Sequence, residues 1–413
     1  MSNGLQRLTA AKTWGVIGIL IAATFGCRAP AAPVTEQPKI DYSAPLPEGE
    51  LALRKISPNQ YPDFAADLAD LKPDDLRRAV DHSLEYLARP SSERSYPYLD
   101  ISHDRAVATL RAFRAMLDHP PAAEQWNAAI AQTFDVYQSI GAPDPQGGGY
   151  TGSVLFTGYF TPTYDASLTR GGSYQWPLYK RPADLVSDAD GEHDGRRAAD
   201  GSIAPYLTRQ QIETGALAGQ ELVWLTSRWN AYVITIQGSA RLRLPDGRIY
   251  EVGFAGDNGY DYTSPGQQLV ADGLIAKADL SFHTLRQYFD AHPEAMDKYL
   301  WLNQRTVFFT ERPGGPFGSL NVPVTPFCSI ATDKHVYPPA LLAFVSIRGG
   351  SDAEPSASRQ AFALDQDRGG AIRSAGRCDL YMGIGDQAEN LSGVQLSTGK
   401  LYYLAVKPEL TGH

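Results

Sequence analysis

The chain has 413 residues and a formal net charge of −9 at pH 7, with 43% hydrophobic and 20% charged residues. This length is sufficient for two domains or for one large domain. Because neutralising phosphates requires a basic face, the acidic balance argues against nucleic acid as a partner.

The amino terminus has the pattern of an export signal. Arg7 and Lys12 precede an apolar run, residues 14–25, that is too short to span a bilayer as a stable helix. Cys27 ends a Thr-Phe-Gly-Cys segment that resembles a lipobox, in which the cysteine is lipidated. We therefore expect a lipoprotein-type signal peptide over residues 1–27 with lipid attached at Cys27. Ordinary signal cleavage nearby is the alternative.

Residues 28–49 are rich in Pro and Ala and lack hydrophobic periodicity, which predicts a flexible tether between an anchor and a folded body. Export also allows the two remaining cysteines, Cys328 and Cys378, to pair. Their separation in sequence says nothing about their distance in space. They are therefore a candidate disulfide, with free thiols as the equal alternative.

Three amphipathic helices are predicted before residue 140, because apolar residues recur there at helical spacing. The three runs are residues 76–87, 107–117 and 126–137. Prolines separate them and break the periodicity. We expect these helices to pack on a larger body and to carry no chemistry.

Short strand-like runs dominate the middle of the chain. Residues 234–244, a Pro-Asp-Gly turn and residues 248–252 together predict a β-hairpin. Gln237, Gly238 and Ser239 interrupt its first strand. They are either a β-bulge or a strand surface that lines a groove and directs an amide and a hydroxyl at a polar ligand.

Further elements follow towards the carboxyl terminus. Residues 269–275 and 280–292 predict short helices, and residues 307–310 predict a strand. The spacing of the last predicted strands suits a small barrel. These strands are residues 322–330, 341–347, 360–364, 379–382 and 401–406.

Four aspartates in a Gly-rich, nearly uncharged setting are the best clue to function: Asp365, Asp367, Asp379 and Asp386. A carboxyl that is partly withdrawn from water beside other carboxylates keeps its proton more readily, as a general acid must. For each one the alternative is a turn aspartate that bonds its own backbone. Their spacing matches no calcium loop and the glycines open no dinucleotide-binding helix, so we expect no metal and no cofactor.

Seven segments together carry a family resemblance. They are residues 156–162, 177–182, 236–239, 303–309, 329–333, 367–372 (Asp-Arg-Gly-Gly-Ala-Ile) and 379–385 (Asp-Leu-Tyr-Met-Gly-Ile-Gly). In this order they resemble the membrane-bound lytic transglycosylase A (MltA) family of peptidoglycan-cleaving enzymes. The tail from about residue 323 resembles the family's 3D module, named for three aspartates, which here are Asp367, Asp379 and Asp386.

The resemblance implies a mainly β protein with N-terminal helices. Its double-psi β-barrel domain would receive a second, β-rich domain as an insert, with a glycan-binding groove between the two. Residues 50–160 would supply the helices and the first part of the barrel, residues 161–310 the insert, and residues 311–413 the 3D part of the barrel.

The resemblance also implies the chemistry. Asp379 would be the single catalytic acid, and it would cleave the β-1,4 bond between N-acetylmuramic acid and N-acetylglucosamine without adding water. Asp367 and Asp386 would support it. The residues expected to contact substrate are Thr157, Tyr159, Gln237, Gly238 and Ser239.

Two other functions remain open at this stage. One is a cell-wall glycan hydrolase with two carboxylates, and the other is a non-catalytic barrel that binds the wall. For any of the three we expect peptidoglycan glycan strands as the partner, with a complex of wall-synthesis or hydrolase proteins as a further expectation. The expected location is the periplasmic face of a membrane, as an outer-membrane lipoprotein.

Overall fold

The computed structural model describes residues 39–187, 194–347 and 359–411. The predicted signal peptide, Cys27 and the first part of the tether lie outside the described residues. Tether residues 39–49 have turns and no regular element. No helix in the described ranges is both long and apolar enough to cross a membrane.

The described chain is mostly sheet, with helices before and between the strands. The strands are β1 (Leu53–Lys55), β2 (Phe134–Ser139), β3 (Val154–Thr161), β4 (Thr163–Ser167), β5 (Trp176–Tyr179), β6 (Val186–Ser187), β7 (Asp194–Arg197), β8 (Ile203–Ala204), β9 (Glu221–Leu225), β10 (Ser239–Arg243), β11 (Ile249–Asp257), β12 (Val307–Glu311), β13 (Ser329–Ala331), β14 (Leu342–Ile347), β15 (Arg359–Asp367), β16 (Arg377–Ile384) and β17 (Leu396–Val406). The helices are α1 (Pro73–Leu87), α2 (His103–Asp118), α3 (Trp126–Thr133), α4 (Arg209–Gln211), α5 (Arg228–Gln237), α6 (Pro265–Ala271), α7 (Phe282–Ala291), α8 (Ala295–Leu300) and α9 (Asp386–Val394).

The larger sheet has the order β1-β2-β17-β14-β15-β13-β16-β3. Because β17 also pairs with β3, six of these strands close on themselves and leave no open edge between β17 and β3. Helices α1 and α2 bury their apolar faces against this sheet, through Leu76, Val80, Leu110 and Phe113. The barrel interior and this helical layer form one continuous hydrophobic core.

A second sheet has the order β12-β11-β10-β4-β9-β5, and a three-stranded sheet consists of β6, β7 and β8. The six-stranded sheet has a smaller core of its own, to which Leu178, Val223, Leu242 and Phe309 belong. Both larger sheets meet in the sequence at Pro162, because β3 ends at Thr161 and β4 begins at Thr163.

The third predicted helix was too long. Helix α3 ends at Thr133, and the chain continues as β2 between β1 and β17. Phe134, Val136 and Tyr137 are fully buried, and such β-branched and aromatic residues fit a strand enclosed on both faces. The other two predicted helices are present as α1 and α2.

The predicted hairpin is present as β10 and β11, but its first strand was predicted to begin too early. The residues before Ser239 form α5, which the Ser227 side chain caps and which ends at Gly238. Gly238 has φ 79, the left-handed conformation that glycine adopts readily at a helix end. The interpretation of residues 237–239 as part of a strand is therefore wrong for Gln237 and Gly238, whereas Ser239 is the first residue of β10.

The first of the last predicted strands was also too long. It is reduced to β13, because Pro323 and Pro326 lack the N–H groups that a ladder needs, and Phe327 has φ 61. The other four predicted strands are present within β14, β15, β16 and β17. Helix α9 was not predicted.

Candidate active site

The parallel strands β3 and β16 bring Asp379 beside Thr157. In their register Thr157 lies opposite Asp379, and Tyr159 lies opposite Tyr381. Because side chains alternate between the two faces of a strand, all four lie on one face. The rings of Tyr159 and Tyr381 pack with their centroids 5.1 Å apart.

A short hydrogen-bonded chain orients the Asp379 carboxyl. The Thr157 hydroxyl donates to Asp379 Oδ1, and Arg377 Nη2 donates to Thr157 Oγ1 at 3.1 Å. Since a guanidinium can only donate, the threonine oxygen accepts from Arg377 and its hydrogen is left for the carboxyl. This chain fixes Oδ1 as an acceptor and leaves Oδ2 as the atom that can carry a proton.

Two opposing effects set the acidity of Asp379. Burial raises the pKa of this carboxyl, while the charge of Arg377 and the hydrogen bond from Thr157 lower it. Arg377 Nη2 lies 3.7 Å from Asp379 Oδ1. The effect of burial prevails, so the pKa of Asp379 lies above its usual range. The side chain nevertheless remains 17% exposed, so a reactant can reach one edge of it.

Asp367 lies on the far side of β13 from Asp379. Ala331 of β13 pairs with Asp367 of β15 on one side and with Asp379 of β16 on the other, which separates the two aspartates by roughly two strand spacings, about 10 Å. Asp367 Oδ1 accepts from Ser319 N at 2.7 Å and from Arg368 N at 2.8 Å. Burial raises the pKa of Asp367, and these two backbone bonds lower it. The carboxyl thus holds the loop before β13 against the end of β15.

The charges of both carboxyls act on the hydroxyl of Tyr159. Burial raises the pKa of its hydroxyl well above the usual range, and the charges of Asp367 and Asp379 raise it further. The phenol therefore stays neutral and can donate a hydrogen bond on the face that carries Asp379.

The third aspartate of the module, Asp386, lies on a helix, whereas Asp367 and Asp379 lie on strands. Asp386 is exposed at the first position of α9, after Gly383 and Gly385, whose φ values are 114 and 82. These left-handed conformations turn the chain from β16 into α9. At this position the helix dipole favours a carboxylate. The pKa of Arg243 is raised chiefly by its hydrogen bond to Asp165 and by the charge of that residue, and the charge of Asp386 adds to the rise.

Asp365, on β15, lies in the interior of the closed sheet. It is fully buried and pairs with Lys334, while Tyr403 and Thr332 donate to its Oδ2 at 2.6 and 2.7 Å. Burial raises its pKa, and Lys334 opposes that rise. Among the described residues, no group of three or more His, Cys, Asp or Glu side chains is placed to hold a metal ion.

Gln237, Gly238 and Ser239 connect the end of α5 to the start of β10. Gln237 Oε1 accepts from Phe160 N at 3.0 Å, and Ser239, which is 8% exposed, has its hydroxyl 3.4 Å from Thr161 Oγ1. The Tyr381 hydroxyl lies 3.0 Å from the same threonine oxygen. Gln237 and Ser239 therefore contact the strand that carries Thr157 and Tyr159.

The candidate disulfide is not formed, because Cys328 and Cys378 are both free and buried. In the register of β13 and β16, Ile330 pairs with Leu380, so the residue opposite Cys328 is Met382, four positions from Cys378. Four strand residues span about 13 Å, and a disulfide needs Cα atoms within about 7 Å.

The prediction from sequence missed Arg377. Its signal was present, because residues two apart on a strand share a face, and Arg377 precedes Asp379 by two. Its pairing with Thr157 depends on a strand more than 200 residues earlier, which sequence spacing does not reveal.

Comparison with known proteins assigns the two parts of the chain to two family models. Residues 155–310 match the MltA specific insert domain, and residues 328–405 match the 3D domain. The chain is 30% identical over 294 residues to the membrane-bound lytic murein transglycosylase A of Escherichia coli, covering 70% of this chain and 75% of that protein. It is 28% identical over 298 residues to the Vibrio cholerae protein of the same name, covering 70% and 76%.

Solved structures agree with these matches. A membrane-bound lytic murein transglycosylase from Agrobacterium tumefaciens has a TM-score of 0.69 at 24% identity, covering 86% of this chain and 98% of that one. The E. coli MltA structure with bound chitohexaose has a TM-score of 0.64 at 24% identity, covering 89% and 96%. The lytic transglycosylase LtgG of Burkholderia pseudomallei has a TM-score of 0.51 at 28% identity, covering 89% and 100%.

Proposed function

This chain belongs to the membrane-bound lytic murein transglycosylase A family, and we propose that it cleaves the β-1,4 bond between N-acetylmuramic acid and N-acetylglucosamine in peptidoglycan. In this proposal no water enters the products, and the muramic sugar closes a 1,6-anhydro ring. Asp379 acts first as the acid and then as the base. The single observation that carries the assignment is a partly reachable, otherwise buried carboxyl with a raised pKa.

In the first step Asp379 gives the proton on Oδ2 to the glycosidic oxygen while the bond from that oxygen to the anomeric carbon breaks. Burial favours the protonated form that this step requires. Thr157 holds Oδ1, so the carboxyl presents Oδ2 to the substrate. The leaving sugar departs with the proton as a neutral alcohol.

In the second step the C6 hydroxyl oxygen of the muramic sugar attacks the anomeric carbon, and its proton passes to the Asp379 carboxylate. Arg377, at 3.7 Å, and the Thr157 hydroxyl stabilise that carboxylate in the interval between the two steps. The cycle ends with Asp379 protonated again, so one side chain serves both steps and the enzyme needs no external proton.

The rival two-carboxylate hydrolase would require a second carboxyl to act as nucleophile or to activate water. Retaining glycosidases hold the two groups about 5–5.5 Å apart, and inverting ones about 6.5–9.5 Å apart. The main chains at Asp367 and Asp379 lie on opposite sides of β13, and Asp367 Oδ1 already accepts two backbone N–H groups. These contacts favour a supporting role for Asp367.

The larger, closed sheet would be the double-psi β-barrel, and the six-stranded sheet would be the inserted domain, with the glycan groove between them. The register of β3 against β16 and the contacts from the end of α5 support this division. In this arrangement Thr157, Tyr159, Gln237, Gly238 and Ser239 border the substrate. The MltA structure from E. coli was solved with chitohexaose, a glycan of related backbone.

Attachment to the periplasmic face of the outer membrane through a lipid on Cys27 belongs to the same proposal. It rests on the signal-like amino terminus and on relatives that are named membrane-bound. Labelling with a radioactive fatty acid in cells, with Cys27→Ser as the control, tests it. Unlabelled wild-type protein would contradict it.

The test of the proposed chemistry is Asp379→Asn. The amide cannot donate a carboxylic proton or recover one, so we expect turnover of purified peptidoglycan to fall by a factor of about 10² to 10⁴. Asp261→Asn, at an aspartate whose side chain is fully exposed, is the matched control and should retain activity. Mass spectrometry of the wild-type products should find ends that lack one water relative to hydrolysis. Hydrated ends, or comparable cleavage by Asp379→Asn, would refute the mechanism.

A further inference from the structure

A cavity of about 180 Å³ opens on the six-stranded sheet, away from the residues assigned to cleavage. Its walls come from β5, from the turn after α4, from α5 and from the end of α8. Trp176 and Trp301 are the two indoles at this site.

A single arginine braces both indoles. The Arg228 guanidinium lies over the Trp176 ring at 5.7 Å and over the Trp301 ring at 5.2 Å from their centroids. It is held in turn by Asp297 and, at 2.9 Å, by Glu213. Trp301 Nε1 donates to the same Glu213 oxygen at 2.9 Å. These contacts fix the rings before any ligand arrives, which lowers the entropy that binding would cost.

The braced surface is still accessible. The Trp176 side chain stands at the start of β5, and the residue is 40% exposed, although large apolar side chains of this size are usually covered. The helix that begins at Arg209 ends in a π-helical turn, Ile212–Ala216, which brings Ile212 and Glu213 into the cavity wall.

The charges of the lining cancel and so favour a neutral ligand. Arg209 and Arg228 are matched by Glu213 and Asp297, and each arginine is paired with a carboxylate. A free anion or cation would meet no unpaired charge among these four groups. A neutral sugar has an apolar C–H face that packs on an indole, and hydroxyl and acetamide groups that exchange hydrogen bonds with charged rims.

We infer that this cavity is a distal binding site for N-acetylated glycan, at which Trp176 supplies the platform on which a sugar ring packs. The inference rests on the proposed function, since the occupant is a more remote stretch of the strand that is cut. Helix α5 links the two places: Arg228 begins it at the cavity, and Gln237 ends it at β3. Arg228 and Gln237 are nine positions apart, which is about 14 Å along the helix.

The experiment uses chitohexaose, which carries no peptide, and the catalytically inactive Asp379→Asn protein. Calorimetric titration should resolve two classes of site. Adding Trp176→Ala should weaken one class at least tenfold and leave the other unchanged. Phe254→Ala is the matched control, because Phe254 is an equally exposed aromatic residue of the same sheet, and it should change neither class.

In the active enzyme Trp176→Ala should raise KM for long glycan strands several-fold with kcat unchanged, and Trp176→Phe should restore most of the binding. An unchanged isotherm for Trp176→Ala would overturn the inference, as would binding of free stem peptide in place of chitohexaose. Failure of the proposed function has a different signature. In that case the wild-type enzyme would release no anhydro products, whatever the isotherm.

Discussion

Replacing Arg377 by Met tests whether the acidity of Asp379 is set by two opposed effects. Arg377 Nη2 lies 3.7 Å from Asp379 Oδ1, and both side chains are more than four-fifths buried. At this distance Coulomb's law gives about 1 kcal/mol for a dielectric constant of 80 and about 4.5 kcal/mol for an effective value of 20. Because both groups are largely withdrawn from water, the interaction lies nearer the upper figure.

The expected result is a shift in the pH profile. Arg377 lowers the pKa of Asp379, so its removal raises that pKa further. In the proposed mechanism the protonated carboxyl is the active form in the first step, so activity is lost as the pH rises through its pKa. The alkaline limb of kcat/KM therefore moves to higher pH in Arg377→Met. At low pH kcat should fall, because the carboxylate between the two steps loses its cation.

The assay is release of soluble fragments from purified peptidoglycan between pH 4 and pH 10, with folding verified by circular dichroism at each pH. Arg373→Met is the matched control: Arg373 stands four residues earlier, its side chain is 45% exposed, and it lies 3.9 Å from the exposed Asp261. Its profile should coincide with that of the wild type. An alkaline limb that stays in place or moves to lower pH in Arg377→Met would refute the reasoning.

Three further predictions follow from neighbouring contacts. Thr157→Val removes the hydroxyl that donates to the Asp379 carboxyl, a hydrogen bond to a charged group worth about 1.5–3 kcal/mol. In steady-state assays kcat/KM should therefore fall by one to two orders of magnitude, while Thr157→Ser should retain most activity; equal losses in both variants would contradict this. Lys334→Met leaves the buried Asp365 carboxylate without its cation and should lower the free energy of unfolding in urea by about 3–5 kcal/mol at neutral pH. The loss should shrink as the pH falls and the carboxyl is protonated, and adding Asp365→Asn should recover part of it; a loss independent of pH would count against the buried pair. Burial raises the pKa of Cys328 to about 12 and that of Cys378 well above its usual range, so neither thiol should react with a thiol reagent until the protein unfolds. The rate of thiol modification is measured in protein in which Cys27 is replaced by Ser. Rapid modification in the native state would contradict the burial of Cys328 and Cys378.

What the sequence predicted depended on how local each signal is. Helix α1 follows from apolar residues at helical spacing with Pro73 at its first position, and β16 follows from its apolar run. The start of β10 was predicted wrongly because Ile234, Thr235 and Ile236 are β-branched, which favours a strand, while all three lie on α5 and packing buries Ile234 completely. The packing of α5 in the protein core thus outweighed the strand propensity of these residues.

The candidate site divides along the same line. Asp379 was recognisable from its own segment, but its acidity is set by Thr157, 222 residues away, through the parallel pairing of β3 with β16. No local pattern encodes that pairing. Asp386 is a second example. The family resemblance groups it with Asp367 and Asp379, but the turn at Gly383 and Gly385 leads the chain into α9, where Asp386 is exposed.

A single carboxyl that must donate and then recover a proton needs an environment in which neither protonation state is strongly preferred. Burial alone would stabilise the acid so strongly that the conjugate base could form only at a high cost in free energy. Arg377 and Thr157 alone would hold the carboxylate and leave no proton to give. In this structure the opposing effects act on the same atoms of Asp379, and burial prevails. This balance suits a reaction in which the nucleophile is already part of the substrate, so that no second carboxyl is required to activate water.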